Sequence, residues 1–209
     1  MTNKIIDISS HNGRINWKEV VNNGVSDVII RLSLGYGDKD LMAQEYAQDA
    51  RAVGLNVSYY HLAYPDTKQG TIFDDATQEA NYFTSLFREE QMPSPKWLAV
   101  DLEKMSNGWD TPLNNNEYLS WVKIFLRQVY SNTGLTCLIY SNRPYLDAHL
   151  PANHDIGNIP LWIANYNNVS APCLPNGWNQ HFLWQYSETG SVKGINGHVD
   201  LNIVGLKDN

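Results

Sequence analysis

KWLAVDLEKM, residues 96–105, is the stretch on which the fold turns. Trp97 to Val100 is a short apolar run that reads as a buried strand, and the spacing predicts a strand over Trp97–Glu103. Helical patterns flank it. Residues 75–88 repeat Ala76, Ala80, Phe83 and Phe87 at helical spacing, and residues 116–131 carry Leu119, Val122, Leu126 and Val129 on one stripe. Gly134 follows as a helix stop. A buried strand between two amphipathic helices is the repeating unit of a parallel sheet with covered faces.

The unit recurs on both sides. Strands are expected at Ile5–Ser9, Val28–Leu32 and Val57–Ala63 before it, and at Cys137–Ser141, Leu161–Asn165, Phe182–Tyr186 and Val199–Val204 after it. Shorter helices are expected at 16–23, 41–53 and 144–149. After about residue 155 the helices stop, and loops such as SETGSVKGINGH separate the last strands. The fold class is therefore α/β: an irregular (β/α) barrel of about eight strands and about five helices, its late strands partly antiparallel. No repeat or linker divides residues 1–209, so a single domain is expected.

Composition narrows the function. Lys+Arg 15 against Asp+Glu 22 leaves a net charge of -7 with no basic cluster, which argues against a nucleic-acid partner. No apolar run approaches the ~20 residues of a membrane span. MTNKIIDISS passes directly into a strand pattern without the segments of a signal peptide. Cys137 and Cys173 read as free thiols, consistent with synthesis in a reducing cytoplasm. The scattered histidines have no metal-ligand spacing and no glycine-rich phosphate loop is present, so neither a metal nor another cofactor is expected.

Asp101 and Glu103 follow the central strand at i and i+2, which on a strand puts both carboxyl groups on one face. At the C-terminal end of a barrel strand that face opens onto the rim where active sites form. Two close carboxyl groups raise one another's proton affinity, and a carboxylic acid that keeps its proton near neutrality can protonate a glycosidic leaving oxygen. A lone D-x-E is more often a pair of solvated charges. Here Asp7 and Asp200 also interrupt apolar strands, where an acid is costly unless it faces a polar cavity or a partner. Arg31, inside VIIRLSLG, needs a carboxylate partner and reads as an orienting charge for the acids or as half of a core ion pair. His61 reads as a structural histidine.

Aromatic residues cluster near the strand ends: Tyr60, Tyr64, Tyr140, Trp162, Tyr166, Trp184 and Tyr186. Their flat faces suit pyranose rings and their hydroxyl groups suit sugar hydrogen bonds, so they are candidate substrate-binding residues. Core packing is the competing explanation for each one.

DISSHNGRINW, SYYHLAYPD, WLAVDLE, LIYSN, PLWIANY, LWQYS and HVDLN occur in this order, and the chain resembles the family 25 glycoside hydrolases from about Ile5 to Val204. The resemblance implies an irregular barrel and hydrolysis of the β-1,4 bond between N-acetylmuramic acid and N-acetylglucosamine in peptidoglycan. It implies that Glu103 donates the proton. Asp101 would stabilise the positive intermediate or orient the substrate's acetamido group, and Asp7 and Asp200 would line the same pocket. Retention and inversion both stay open. Leu34 departs from the acidic or amide residue frequent in the family, and Leu62 from its usual Phe. No wall-binding module follows the last strand, as expected of a catalytic domain alone or of a minimal enzyme. Such an enzyme would be made in the cytoplasm and reach the wall by release or holin-type export. A glycan-binding module without catalysis and a chitinase-like hydrolase are the rival readings.

Overall fold

The computed structural model describes residues 4–166 and 169–205. Its strands are β1 (Lys4–Ile8), β2 (Val25–Leu34), β3 (Asp38–Lys39), β4 (Asn56–Leu62), β5 (Leu98–Asp101), β6 (Cys137–Asn142), β7 (Leu161–Ala164), β8 (Leu183–Gly190) and β9 (Val199–Val204). The helices are α1 (Trp17–Asn22), α2 (Ala43–Ala52), α3 (Ile72–Glu89), α4 (Asn115–Thr133) and α5 (Arg143–His149). Hydrogen bonding runs β1-β9-β8-β7-β6-β5-β4-β2, and a β1–β2 pairing closes the ring into an eight-strand barrel. β3 hangs on β2 as a two-residue antiparallel flap. The irregular barrel is as expected, and among the described residues its antiparallel ring pairings flank β9.

Alternation along the strands sorts the side chains into two cores. One lies between sheet and helices. There Trp121 and Phe125 of α4 stack at 5.2 Å, and His61 of β4 stacks on Phe125 at 5.2 Å. The other fills the barrel interior with Ile5, Ile29, Ala99, Leu138 and Leu183 beneath Tyr140 and Trp162. Trp97 and Phe182 pack edge to face at 5.4 Å against that interior cluster. Apolar filling of this kind makes the barrel a solid core rather than a pore, so chemistry is confined to its mouth.

Several boundaries differ from expectation: β2 starts at Val25, β8 runs on to Gly190 into the stretch expected as a loop, and two others have a local cause. α3 begins at Ile72 rather than 75, because Thr71 and Asp74 cap each other: Thr71 Oγ1 accepts from the Asp74 amide and Asp74 Oδ2 accepts from the Thr71 amide. β5 ends at Asp101, so Glu103 stands beyond the strand. The segment is nonetheless held: the Leu102 amide donates to Tyr140 O at 2.9 Å, and Ser141 Oγ donates to Leu102 O at 2.6 Å. Glu103 is thus presented from a pinned backbone.

Candidate active site

Asp7 of β1 and Asp200 of β9 are direct antiparallel partners, so their side chains rise side by side. Asp101 at the end of β5 pairs with Tyr140 of β6 and points into the same mouth. Asp7 and Asp101 are buried, while Glu103 and Asp200 are partly exposed. The fold therefore brings together all four acids expected from the sequence.

Their proximity is electrostatic as well as geometric. Glu103 is pushed up to about 7, first by burial, then by the charges of Asp7 and Glu188. Asp200 is pushed up to about 9 by burial and by Asp7. Burial raises Asp7 too, while hydrogen bonds from Asn202, Gln185 and Asp200 pull it back. Asp101 is raised well above the ordinary carboxylate range by burial, then by Glu103 and Asp7, against the opposing pull of Arg31. Its Oδ1 is buried and finds no hydrogen-bond partner among the described residues. A buried acceptor left open at the mouth of a barrel is a place for a ligand donor.

The amides around Asp7 were not legible in the sequence. Gln185 Nε2 donates to Asp7 Oδ2 at 2.9 Å, and Asn202 Nδ2 donates to the same oxygen at 2.7 Å. Gln185 Oε1 in turn accepts from the hydroxyl groups of Tyr140, at 2.8 Å, and Tyr166. The signal available was the period of two. Asn202 follows Asp200 by two residues, and Gln185 follows the interior Leu183 by two.

Arg31 forms a buried ion pair. Its Nε donates to Asp40 Oδ2 at 2.9 Å, its Nη2 completes the ion pair at 2.9 Å and donates to Ser10 Oγ at 3.3 Å, and its charge also lowers the proton affinity of Asp101. Asp40, absent from the sequence reading, further accepts from the Ser10 and Met42 amides at 3.0 Å. His61 is structural, with Nδ1 on Ser33 Oγ at 2.9 Å and Nε2 on Glu79 at 2.7 Å. Among the described residues no group of three or more His, Cys, Asp or Glu side chains is arranged to hold a metal ion.

The aromatic candidates separate into three sets. Tyr60 and Tyr140 pack against Trp162 inside the barrel, and Tyr166 reaches Gln185 from the rim. Tyr64 lies against Trp109 at 4.7 Å, beside a hollow of about 270 Å³ lined by Tyr36, Asp66 and Lys68. Trp162 is only 1% exposed, which leaves no face for a sugar ring. Trp184 and Tyr186 lie on the opposite side of β8 from Gln185 and belong to the outer core, away from the acids. Trp184 Nε1 donates to Asn165 O at 2.8 Å there.

A closed mixed barrel with an acidic mouth is the architecture of a barrel glycoside hydrolase. The profile of Glycosyl hydrolases family 25 matches residues 6–195, and the chain belongs to that family. It is 28% identical over 201 residues to Lysozyme M1 of Streptomyces globisporus, covering 94% of this chain and 66% of the relative. It is 28% identical over 199 residues to the autolytic lysozyme of Clostridium acetobutylicum, covering 95% of this chain and 55% of the relative. The chain thus spans somewhat more than half the length of these two proteins. The crystal structure of the bacterial lysozyme from Streptomyces coelicolor superposes with a TM-score of 0.85 at 26% identity, covering 100% of this chain and 94% of that one.

Proposed function

We propose that residues 4–205 act as one catalytic barrel that hydrolyses the β-1,4 bond between N-acetylmuramic acid and N-acetylglucosamine in peptidoglycan. The observation that carries this reading is Glu103, a partly buried carboxyl at the barrel mouth with its proton affinity raised to about 7. That value suits a general acid working near neutrality. Glu103 gives its proton to the glycosidic oxygen as the bond from that oxygen to the anomeric carbon breaks. The open Oδ1 of Asp101 accepts the N–H of the muramyl 2-acetamido group, which turns the acetamido carbonyl oxygen toward the anomeric carbon. That oxygen bonds to the carbon as the leaving group departs. Water then opens the cyclic intermediate, losing its proton to the Glu103 carboxylate, and the configuration is retained.

Tyr64, Tyr166 and Trp109 line the rim and offer the aromatic and hydroxyl surface that a glycan strand needs. No helix among the described residues is long and apolar enough to cross a membrane. The wall is the site of action, reached by release or export.

Digestion of purified peptidoglycan followed by mass spectrometry tests the bond assignment. Muramic acid at the new reducing ends is expected, whereas glucosamine ends or peptide fragments alone overturn it. Glu103→Gln is expected to lower the rate by about 10²–10⁴-fold with folding intact.

A further inference from the structure

We propose that Trp162 and Asn202 form a donor relay that fixes the shared proton of the Asp7–Asp200 pair on Asp200, so that Asp7 faces Glu103 as the anion. The indole Nε1–H of Trp162 can donate and cannot accept. It donates to Asn202 Oδ1 at 2.7 Å, in a place where Asn202 is 1% exposed. The Asn202 amide therefore has one orientation, with Oδ1 on the indole and Nδ2 turned the other way. Nδ2 meets Asp7 Oδ2 at 2.7 Å. N–H donors on a carboxyl favour its charged form, so this bond draws Asp7 toward the anion. The second amide, Gln185, makes the same demand on the same oxygen at 2.9 Å while its own Oε1 accepts from two phenols.

Asp200 has no such donors among the hydrogen bonds of the described residues and stands opposite Asp7 in the ladder. Two adjacent carboxyl groups in a low-dielectric site keep one proton between them. With two amide donors favouring the anion on Asp7 and none on Asp200 among the described residues, that proton belongs to Asp200, and the rise of Asp200 to about 9 agrees.

The other groups facing Asp7 come from every side of the mouth. Tyr60 of β4, Asp101 and Glu103 feel its charge directly. Tyr140 and Tyr166 meet it through Gln185, and Arg31 of β2 is paired with Asp40 while its charge still reaches Asp101. Glu188 of β8 adds a negative charge to Asp200 and Glu103. The relay thus makes Trp162 and Asn202 positioning residues that act on Glu103 through Asp7. This consequence for activity rests on the proposed role of Glu103, whereas the placement of the proton does not.

Carboxyl-carbon NMR of the aspartates in the intact protein reads the proton directly. At neutral pH the expected result is an ionised Asp7 beside a neutral Asp200. In Asn202→Leu and Trp162→Phe the Asp7 signal is expected to move toward the neutral form. The alkaline limb of the pH–activity profile should then move to lower pH by about one unit, since the negative charge has passed from Asp7, which raises Glu103, to Asp200. A wild-type protein with ionised Asp200 and neutral Asp7 overturns the proposal, even if both variants fail to fold. So do folded variants, checked by thermal melting, whose aspartate signals stay as in the wild type. Glu103→Gln with normal activity would end the catalytic reading and leave the NMR result untouched.

Discussion

The barrel has two unlike walls. The ring strands β2, β4, β5 and β6 are parallel and backed by helices, and this wall supplies Arg31, Asp101 and, just past β5, Glu103. From β7 to β9 the described residues include no helix between the strands, and this wall supplies Gln185, Asp200 and Asn202. The helix-backed wall holds the acid and its neighbour on a rigid frame. The bare wall holds the amides and the partner acid that set the charge of Asp7. Aromatic side chains replace helices as its backing, with Trp178 and Trp184 buried on its outer side and each indole bonded to a backbone carbonyl. The difference teaches that rigidity at the mouth does not require a complete set of helices, provided each inward polar group has a fixed partner.

Substitutions that strike the two walls separately sharpen this contrast. The largest effect expected is on activity, from Glu103→Gln, whose melting temperature should stay near that of the wild type while hydrolysis collapses. Next come losses of stability. Asp40→Ala strands the buried Arg31 guanidinium, and an uncompensated buried charge costs about 3–5 kcal/mol, measurable by denaturant unfolding. Trp184→Ala tests whether the bare wall depends equally on its packing, with an expected cost of about 3–5 kcal/mol. If Trp184→Ala is nearly neutral, the outer aromatics are not the backing argued for here.

A smaller effect is expected on the pH dependence of stability. Asp75, buried beneath the helix-backed wall, is raised to about 7 by burial, against a hydrogen bond from Trp121, with Glu79 and Asp66 adding to the rise. Because the folded protein holds this proton more tightly than the unfolded chain, the contribution is full below the ordinary value of 3.8 and is lost as pH rises toward about 7. Asp75→Asn should flatten that part of the stability profile. The smallest effect is expected at the N-cap of α4, where Asn114→Ala removes bonds to the Asn116 and Glu117 amides and should cost about 1 kcal/mol.

Most of the fold was legible because burial on both faces writes a parallel strand as an apolar run, and amphipathic helices between such runs declare themselves by spacing. β3 was not legible, since Asp38–Lys39 carries two charges and is a strand only through its pairing with Ser33 and Leu34. Asp7 and Asp200 stood out because each breaks an apolar pattern, and Asp101 and Glu103 because they follow an apolar run at a spacing of two. Gln185 and Asn202 did not, because a neutral amide beside aromatic residues carries no such signal. Asp40 lies in a loop, and only the need of Arg31 for a partner hinted at it. Trp184 and Tyr186 were grouped with the site on composition, while the alternation that turns Gln185 inward turns both of them outward.

The most direct measurement is the pH dependence of kcat/KM for release of reducing ends from purified peptidoglycan. An alkaline limb near the value of about 7 assigned to Glu103, vanishing with the activity in Glu103→Gln, is the expected result. A profile that stays flat through neutrality, or a Glu103→Gln protein that works at the wild-type rate, contradicts the account.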